Sequence, residues 1–254
     1  MNSLTKRYWD GSFVRHGNAD PAKVTLPVQN ISYTYNDFLE LTTVTKTDKD
    51  GATKYTYSYD NAGNITSEIV EKGPDIKHLT QVESHGYGYD EDSVWKDKLT
   101  EYDAKGIEYD NGGKPVKYLG KSMKWNSIND CLMSVKESGK QDINYSYLSD
   151  GKRYTKTIAG KTKTYFYNNG IMLSERTDTE RINFYYDSDG AVVELGVQTR
   201  VSKDRDWGSE NRYFLVRNGQ SDVVAIYRND TSVLVGTYEY DPWGKVLSVK
   251  YAEN

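Results

Sequence analysis

The sequence contains few of the residues on which disulfide frameworks and metal sites depend. Its single cysteine, Cys131, excludes an internal disulfide and any zinc cluster built from cysteines. Its three histidines, His16, His78 and His85, lack the H-x-x-x-H and H-E-x-x-H spacings of metal sites, and we expect them in surface loops. The sequence therefore predicts no metal site and no cofactor.

A basic excess and long apolar runs are also absent. The 254 residues include 33 Lys and Arg against 37 Asp and Glu, and the resulting net charge of −4 argues against a nucleic-acid partner. No apolar run approaches the ~20 residues that cross a bilayer, and the first residues lack the apolar core of a signal peptide. We therefore expect no membrane span and no signal peptide in this chain.

Tyrosine is the residue that the sequence has in abundance. There are 23 tyrosines against 5 phenylalanines and 5 prolines, a composition typical of strands with amphipathic faces. No segment longer than ~10 residues places apolar side chains at the i, i+3, i+4, i+7 spacing of a helix. The sequence therefore predicts an all-β chain.

The clearest local pattern lies in residues 55–69. Three tyrosines alternate at period two in Tyr55–Tyr59, the spacing that places side chains on one face of a strand. Asp60 can then bond the backbone two residues on, and Gly63 can take the positive φ that closes a short hairpin loop. A second extended run begins at Ile65. The segment predicts a β-hairpin.

Weaker copies of this unit recur along the chain, so the fold is expected to be a curved antiparallel sheet of successive hairpins. The predicted turn residues are Asp60 and Gly63, Asp110 and Gly113, Asp150 and Gly151, Asp187 and Gly190, and Asp241 and Gly244. The spacing of Gly151, Gly170 and Gly190 indicates a repeat of about 20 residues. We expect the recurring aspartates to form turns at one shared position, because a catalytic carboxylate pair would not be copied into every repeat. The sequence predicts no catalytic residue and no enzymatic activity.

The chain divides into two predicted regions. Residues 1–28 are expected to form an N-terminal hairpin, with Asp10 and Gly11 at its turn, followed by a loop. Residues 29–254 are expected to form the repeat sheet. Irregular insertions are predicted near residues 71–98 and 200–212, where the alternation is lost.

The Tyr-x-Tyr-Asp-x-x-Gly-Asn unit of residues 57–64 resembles the YD repeat of the RHS-repeat family. Further parts of the chain match the family in order. They are Trp95-Lys-Asp97, Tyr109-Asp110-x-x-Gly113, Tyr118-x-Gly120, Trp125, and the tail Tyr238-x-Tyr240-Asp241-x-Trp243-Gly244-Lys245. The resemblance covers residues 30–250.

The resemblance implies a section of a hollow β-shell in a larger secreted or cell-surface protein. Members of the family include insecticidal toxin-complex subunits, polymorphic toxins and the teneurins. In the toxins the shell encloses a C-terminal effector, released by an aspartate-dependent self-cleavage, so the expected partners are the remaining shell and a toxin cargo. The sequence of this chain contains neither the core-associated cleavage motif nor an effector. Asp241-Pro242-Trp243-Gly244 echoes that motif, but its Tyr-x-Tyr context indicates a repeat turn.

A single hairpin of this kind is marginal in water, since each ordered residue loses about 1–2 kcal/mol of backbone entropy. Neighbouring hairpins must supply ladder hydrogen bonds and cover one face, as in solenoids. The resulting open sheet would have two exposed edge strands. We therefore expect self-association through these edges.

Two other functions remain open from the sequence. A binding module for glycans or a cell-surface partner would use Trp95 and Trp207, which lie in the two insertions, as sugar-stacking platforms. The alternative for both tryptophans is that they plug the sheet or its edges. A self-processing protease would require the missing cleavage motif. The acidic segment 90–92 with Asp97 lacks the ligand order of an EF-hand loop and indicates a solvated turn in place of a Ca²⁺ site.

Overall fold

The computed structural model describes residues 2–8, 29–90 and 94–252, with side chains from residue 29 onward. Every regular element in these ranges is a β-strand, so the all-β prediction is confirmed. None of the described residues forms a helix with the length and apolar character required to cross a membrane. The hairpin predicted around Asp10 and Gly11 lies outside the described residues.

The described residues form two compact units, of which the first ends at Leu119 and the second begins at Gly120. The strands of the first unit are β1 (Asn2–Tyr8), β2 (Gln29–Tyr35), β3 (Leu41–Asp48), β4 (Gly51–Tyr59), β5 (Ile65–Gly73), β6 (Thr80–Tyr89), β7 (Leu99–Tyr102), β8 (Lys105–Gly106), β9 (Glu108–Tyr109) and β10 (Pro115–Tyr118).

The strands of the second unit are β11 (Lys121–Trp125), β12 (Leu132–Glu137), β13 (Ile143–Tyr147), β14 (Arg153–Ile158), β15 (Lys161–Asn168), β16 (Ile171–Arg176), β17 (Glu180–Tyr186), β18 (Val192–Thr199), β19 (Asn211–Arg217), β20 (Val223–Arg228), β21 (Leu234–Tyr240) and β22 (Val246–Tyr251). Within each unit, strands that are adjacent in sequence pair antiparallel, except β8 and β9 of the first unit, which belong to different sheets. The chain is therefore a succession of hairpins, which tight turns between short strands permit.

The core of the first unit is one row of side chains across four strands. Tyr33, Val44, Tyr55 and Val70 are paired in register on β2 to β5. Their exposed fractions are only 8%, 0%, 4% and 5%, respectively. The opposite face carries threonines such as Thr43, so the period-two alternation of the sequence separates a buried face from a hydroxyl-rich one.

The second unit buries a smaller cluster on β19 and β20. The rings of Phe214 and Tyr227 stack with their centroids 5.2 Å apart and their planes 10° from parallel. Val216 and Ala225 lie beside them, and all four side chains are buried. Burial raises the pKa of the Tyr227 hydroxyl. These two strands are the best-packed part of the unit.

From β11 to β18, one face of the sheet of the second unit is richer in apolar side chains and is called the apolar face, and the other is richer in polar side chains and is called the polar face. On β19 and β20 the buried cluster around Phe214 and Tyr227 lies on the polar face, because Phe214 pairs with Glu194. Paired residues of antiparallel strands share a face, and so do residues two apart on one strand. The apolar face carries the rows Met123, Val135, Ile143, Ile158 and Phe184, Leu195, Tyr213, together with Tyr165, Ile182 and Val197, and the charged residues Lys156, Lys163 and Glu175 lie among them. The polar face carries the rows Ser134, Asn144, Thr157, Thr162 and Thr155, Thr164, Arg176, Arg181, Gln198. The apolar side chains are half-buried, apart from Ile158, which is 37% exposed.

The two stretches for which the sequence indicates insertions differ in structure. Residues 71–98 contain the ten-residue strand β6, flanked by the loop 74–79. Its segment Thr-Gln-Val-Glu-Ser-His is exposed on almost every residue, and therefore lacks the alternation by which a half-buried strand is recognised. Residues 200–210 form a loop between β18 and β19.

Candidate functional site

Seven five-residue loops of one geometry lie along the described chain, and we call them the repeat loops. In each, the N–H of the first residue donates to the carbonyl of the fifth, and the N–H of the fourth donates to the carbonyl of the first. The fourth residue has a positive φ between 66° and 85°. The repeat loops are residues 36–40, 60–64, 110–114, 148–152, 187–191, 218–222 and 241–245.

An aspartate or asparagine opens six of these loops and caps the backbone within it. Asp60 Oδ1 accepts the N–H groups of Ala62 and Asn64 at 2.8 and 2.9 Å, and Asp110, Asp187 and Asp241 repeat the arrangement. Asn36 and Asn218 do the same with an amide oxygen. Hydrogen bonds from the side chain and backbone of Asn64 lower the pKa of Asp60. The acceptor capacity of these groups is thus used to close loops.

Asp150 differs from the expectation of one shared turn position. Leu148 opens its loop, and Asp150 is the third residue, accepting the Lys152 N–H at 3.1 Å, while Gly151 takes the positive φ of 82°. The Asp-Gly dipeptide indicates a turn but not the residue at which the turn begins. Asp103 lies in a tighter turn, in which its own φ is 49°.

Strand-ending tyrosines connect neighbouring hairpins, a role that the sequence analysis did not identify. Each donates its hydroxyl to a backbone carbonyl at or next to the start of an earlier strand, over 2.5 to 3.0 Å. The strand reached is the paired neighbour in six cases, whereas Tyr109 on β9 reaches β7. The bonds run from Tyr59 to Leu41, Tyr89 to Ile65, Tyr109 to Leu99, Tyr147 to Leu132, Tyr167 to Arg153, Tyr186 to Met172 and Tyr240 to Val223. We call these bonds the tyrosine ties. They join successive turns along one end of the hairpins.

Arg217 performs the same task where a strand ends without tyrosine. Its Nη2 donates to the carbonyl of Val192, the first residue of β18, at 2.8 Å. Its Nη1 donates to the carbonyl of Ser221 in the next repeat loop at 2.6 Å. A guanidinium therefore replaces the phenol as the donor. Either group can serve, because the position of the acceptor carbonyl is set by the fold and not by the side chain that reaches it.

Removing one tie is expected to weaken the sheet modestly. Tyr240→Phe removes the donor to the Val223 carbonyl at 2.7 Å and should lower the free energy of unfolding by about 1 kcal/mol. The matched control is Tyr238→Phe, two residues earlier on β21, whose hydroxyl has no hydrogen-bond partner among the described residues. Urea titration followed by circular dichroism measures both. Equal losses for the two variants would contradict the tie.

Trp95 lies against the repeat loop 110–114. An added Cβ on Gly113 would be 2.7 Å from Cζ3 of the Trp95 ring, so the indole packs directly on this glycine. The Lys98 ammonium lies 6.0 Å from the ring centroid. The residue nevertheless remains 48% exposed. Trp95 therefore covers a loop with one part of its ring and presents the rest to solvent.

Trp207 is already in contact with two cations. The Cζ atoms of Arg181 and Arg200 lie 4.6 and 4.2 Å from the centroid of its ring. The neighbouring backbone is attached to β18, because Gly208 accepts the Gln198 Nε2–H at 3.1 Å and donates to the Thr199 carbonyl at 2.9 Å. The indole thus stacks with guanidinium groups. The hypothesis from the sequence was that it offers its face to a sugar.

Glu210 at the end of this loop and Glu194 on β18 hold the loop on the polar face. Glu210 accepts hydrogen bonds from Asn183 at 2.6 Å and from Tyr185 at 2.8 Å. Arg212 donates to Glu210 at 3.2 Å and, through Nε, to Glu194 at 2.8 Å. Burial raises the pKa of Glu210, but the hydrogen bonds that it accepts outweigh this effect and lower its pKa. The network fixes residues 200–210 against β17 to β19.

Gly196 leaves the space that this network requires. A Cβ added there would lie 2.4 Å from the carboxyl carbon of Glu210. Only a glycine on β18 therefore allows the Glu210 carboxylate to reach its donors on the polar face.

His85 on β6 forms a second polar cluster, in the first unit. Its Nδ1 lies 2.8 Å from Asp103 Oδ2, and its ring stacks on Tyr102 with the centroids 5.5 Å apart. The buried Glu68 is its direct cross-strand neighbour, and Glu83 Oε2 lies 3.5 Å from its Nε2. The expectation of a loop position is thus wrong for His85, since β6 lacks the alternation that identifies a strand. His78 does lie in a loop, and His16 is outside the described residues.

The stability contributed by His85 is expected to depend on pH. The hydrogen bond to Asp103 raises the pKa of His85 above its ordinary 6.5 and lowers that of Asp103 below its ordinary 3.8. The contribution from His85 is therefore complete below pH 6.5 and is lost as the pH rises through the raised value. That from Asp103 is present above pH 3.8 and is lost as the pH falls through the lowered value. A half-exposed pair of this kind contributes about 0.2–1 kcal/mol.

The measurement is urea unfolding of His85→Gln and the parent chain at about pH 5.5, below the ordinary histidine pKa, and at progressively higher pH. The parent should lose stability relative to the variant at the higher pH. His78→Gln is the control, because His78 bonds Asp75 on an exposed loop, with 71% of the histidine side chain accessible. A pH effect that survives in His85→Gln would assign it to other groups.

No group of three potential metal ligands occurs in the described part of the chain. Glu91 and Asp92 of the acidic segment considered as a Ca²⁺ site lie outside it. The described neighbours Asp90 and Asp97 therefore do not decide that hypothesis.

A family model described as the teneurin YD-shell matches residues 19–251. The chain belongs to the teneurin YD-shell family. The two letters of the YD repeat have separate tasks in this chain, since the tyrosine ties one hairpin to the next and the aspartate caps the loop that follows. The chain is thus a segment of an RHS-type YD-shell, as the sequence resemblance implied.

Curated relatives of this YD-shell segment are much longer proteins. It is 26% identical over 213 residues to the tRNA nuclease WapA of Bacillus subtilis strain 168, which covers 79% of this chain and 8% of the relative. It is 28% identical over 159 residues to the tRNA(Glu)-specific nuclease WapA of Bacillus subtilis subsp. natto strain BEST195, covering 58% of this chain and 6% of that protein. The chain therefore spans less than a tenth of either.

Solved structures show the same fold for the YD-shell segment. The crystal structure of TcdB2-TccC3-Cdc42 matches with a TM-score of 0.66 at 16% identity, over 89% of this chain and 12% of that one. A Photorhabdus luminescens Tc holotoxin pore matches with a TM-score of 0.59 at 15% identity, over 88% and 12%. At these identities the likeness concerns the fold alone.

Proposed function

We propose that this YD-shell segment is part of a wall that encloses a polypeptide effector in a larger secreted or cell-surface protein. The observation that carries the proposal is the apolar face of the second unit. From β11 to β18 its aromatic and aliphatic side chains are only half-buried, with Lys156, Lys163 and Glu175 among them, while the opposite face of the same strands carries mainly hydroxyl, amide and charged groups. Such a sheet separates two environments.

The energetics favour a polypeptide as the cover of the apolar face. Exposed apolar surface costs about 25 cal/mol per Å² relative to burial, so this face gains from contact with other apolar groups. An enclosed, incompletely folded effector offers such groups. The comparisons are consistent with a toxic cargo. The WapA relatives are named as tRNA nucleases, and toxin complexes are among the structural matches.

We propose that the segment itself is not catalytic. The aspartates that its sequence repeats are engaged in capping: Asp60, Asp110, Asp187 and Asp241 each accept two backbone N–H groups through one oxygen. A carboxylate used in this way is a poor general base. In this view the activity of the whole protein belongs to a segment outside this chain.

The test uses the full-length parent protein with a photoreactive phenylalanine analogue at single positions. Phe184, on the apolar face, is expected to cross-link to the enclosed effector after irradiation. Thr164, on the polar face of β15, is the matched control and should not. Mass spectrometry identifies the cross-linked peptides. Cross-links to the effector from Thr164 and not from Phe184 would show that the polar face lines the interior of the shell, which contradicts the proposal. The absence of cross-links from both positions would contradict the enclosure of an effector.

A second candidate function is recognition of a glycan through Trp95. Its half-exposed indole, fixed against Gly113, offers a rigid apolar surface to a sugar ring. A glycan array on the purified chain tests this function. Specific binding that is lost in Trp95→Ala would support it, whereas binding that persists would exclude this tryptophan.

Self-association through sheet edges remains a prediction for the isolated chain. Val246, Leu247, Val249 and Tyr251 on β22 are exposed by 49%, 49%, 40% and 81%, and within the described residues β22 pairs only with β21. An exposed apolar edge strand pairs readily with another chain. Light scattering should therefore show a mass that rises with concentration. A monomer at every concentration would contradict the prediction.

A further inference from the structure

Three cations of β14 and β15 lie among the tyrosines of the apolar face. Lys156 and Lys163 are directly opposite each other across these two strands. Arg153 reaches the same face, because its Cζ atom lies 4.6 Å from the centroid of the Tyr145 ring, which is itself opposite Lys156. We call Arg153, Lys156 and Lys163 the basic cluster. The sheet alone does not account for this arrangement, since like charges at opposed positions of an antiparallel pair are destabilising.

One carboxylate among the described side chains contacts the basic cluster, and it is already engaged. Glu175, opposite Tyr165 on β16, forms an ion pair with Lys163. Neither Arg153 nor Lys156 forms an ion pair within residues 29–90 and 94–252. Three cations against one carboxylate therefore leave an excess of positive charge on a face whose other side chains are largely apolar.

Tyrosine side chains hold Arg153 in position. Burial lowers the pKa of its guanidinium, but hydrogen bonding with the hydroxyl groups of Tyr147 and Tyr165 outweighs this effect and raises the pKa. A guanidinium that stacks on a ring keeps its N–H donors in its own plane, where they form paired hydrogen bonds with a carboxylate. Arg153 is exposed and Lys156 is half-buried. The basic cluster thus combines an ordered fork of donors with an ammonium group.

A polypeptide that covers the apolar face would also remove these charges from water. The half-buried side chains of Ile143, Tyr145 and Tyr165 gain from an apolar cover. Removing an unpaired cation from water is strongly unfavourable unless a counter-charge accompanies it. A cover that carries both apolar side chains and carboxylates at this place satisfies both requirements. A neutral or basic cover satisfies only the first.

We propose that the basic cluster binds an acidic segment of the enclosed effector, one that carries both carboxylates and apolar side chains. Arg153 pairs with one carboxylate in a bidentate manner and Lys156 pairs with another, while the apolar side chains pack on Ile143 and Tyr145. This inference rests on the proposed function, because it requires the apolar face to line the interior of the shell. It adds the chemistry of the segment that lies there.

A nucleic acid fits this place less well. Its bases bind by stacking on free aromatic faces, whereas Arg153 already lies on the Tyr145 ring. Its phosphates would pair with the cations but would leave the aliphatic neighbours Ile143 and Ile158 without apolar contacts. An acidic polypeptide supplies contacts for the cations and for these isoleucines.

The test uses the full-length parent protein with a photoreactive phenylalanine analogue in place of Ile143, two residues from Tyr145, so that the basic cluster is retained. Irradiation should cross-link position 143 to an effector peptide that contains Asp or Glu. Phe184, on the same face but outside the basic cluster, is the matched position. The double variant Arg153→Gln, Lys156→Gln should lower the cross-link yield at position 143 at least about tenfold and leave the yield at position 184 unchanged.

A cross-linked peptide without Asp or Glu, or an unchanged yield in the double variant, would overturn the acidic segment and leave the enclosure in place. An equal loss of yield at both positions would overturn it as well, and so would cross-links to nucleic acid. The absence of cross-links from both positions would contradict the enclosure itself. Thermal unfolding checks the fold of the double variant. If that variant is destabilised, the composition of the peptide cross-linked without it decides, because the basic cluster is then unaltered.

Discussion

Replacing Tyr55 with alanine is expected to lower the free energy of unfolding by about 3–5 kcal/mol. Tyr55 is 4% exposed and lies in the row between Val44 and Val70, which are 0% and 5% exposed. The substitution removes the ring from the best-packed row of the first unit and leaves a cavity that the paired strands cannot close. Urea unfolding followed by circular dichroism measures the loss.

The control for Tyr55 is a tyrosine of the same unit outside the core row. Tyr118 on β10 is half-buried and contacts Tyr102 edge to face, with ring centroids 6.5 Å apart. Tyr118→Ala should cost clearly less than Tyr55→Ala. Similar losses for the two variants would mean that the stability of the first unit is not concentrated in the row from Tyr33 to Val70.

Gly113→Ala is expected to destabilise the first unit by about 2–4 kcal/mol. The residue has a φ of 79°, where alanine is strained by about 1–2 kcal/mol. Its new methyl group would also lie 2.7 Å from the Trp95 ring, which must then move. Urea unfolding followed by tryptophan fluorescence reports both the stability and the displaced indole.

Gly63→Ala is the matched control for the backbone strain. Gly63 has a φ of 85° in an equivalent repeat loop, and its added Cβ meets only the flexible end of Glu40, at 3.0 Å. Its expected cost is about 1–2 kcal/mol. Combining Gly113→Ala with Trp95→Ala should remove the excess cost of the first substitution. An equal cost at Gly63 and Gly113 would show that Trp95 does not pack on the loop.

The elements that the sequence predicts well are those with short-range causes. Alternating tyrosines indicate strands because the side-chain period of a strand is two, and Asp60 with Gly63 indicates the loop because both act within five residues. The same reasoning misplaced Asp150, since an Asp-Gly pair fits more than one position of such a loop. It identified a strand at Tyr87–Tyr89 but not the first part of β6, residues 80–85, whose exposed side chains show no alternation.

The elements that the sequence did not reveal depend on pairs of residues from different hairpins. The Tyr59 hydroxyl reaches the carbonyl of Leu41, 18 residues earlier, and no spacing rule relates a phenol to a backbone acceptor. From the sequence, the indole of Trp207 is a suitable surface for a sugar ring. Only the register of β17 and the course of the loop 200–210 bring Arg181 and Arg200 to this ring. The role inferred for a residue from the sequence can therefore change once its neighbours in the structure are known.

By itself, the sequence determined the all-β class, four of the seven repeat loops and the family of this protein, because strand alternation and loop capping are local and are repeated along the chain. The tertiary structure alone decided which tyrosines are core and which are ties. It also decided which face of the second unit is richer in apolar side chains and which arginines stack on Trp207. These properties depend on strand register, since a shift of one residue would exchange the two faces.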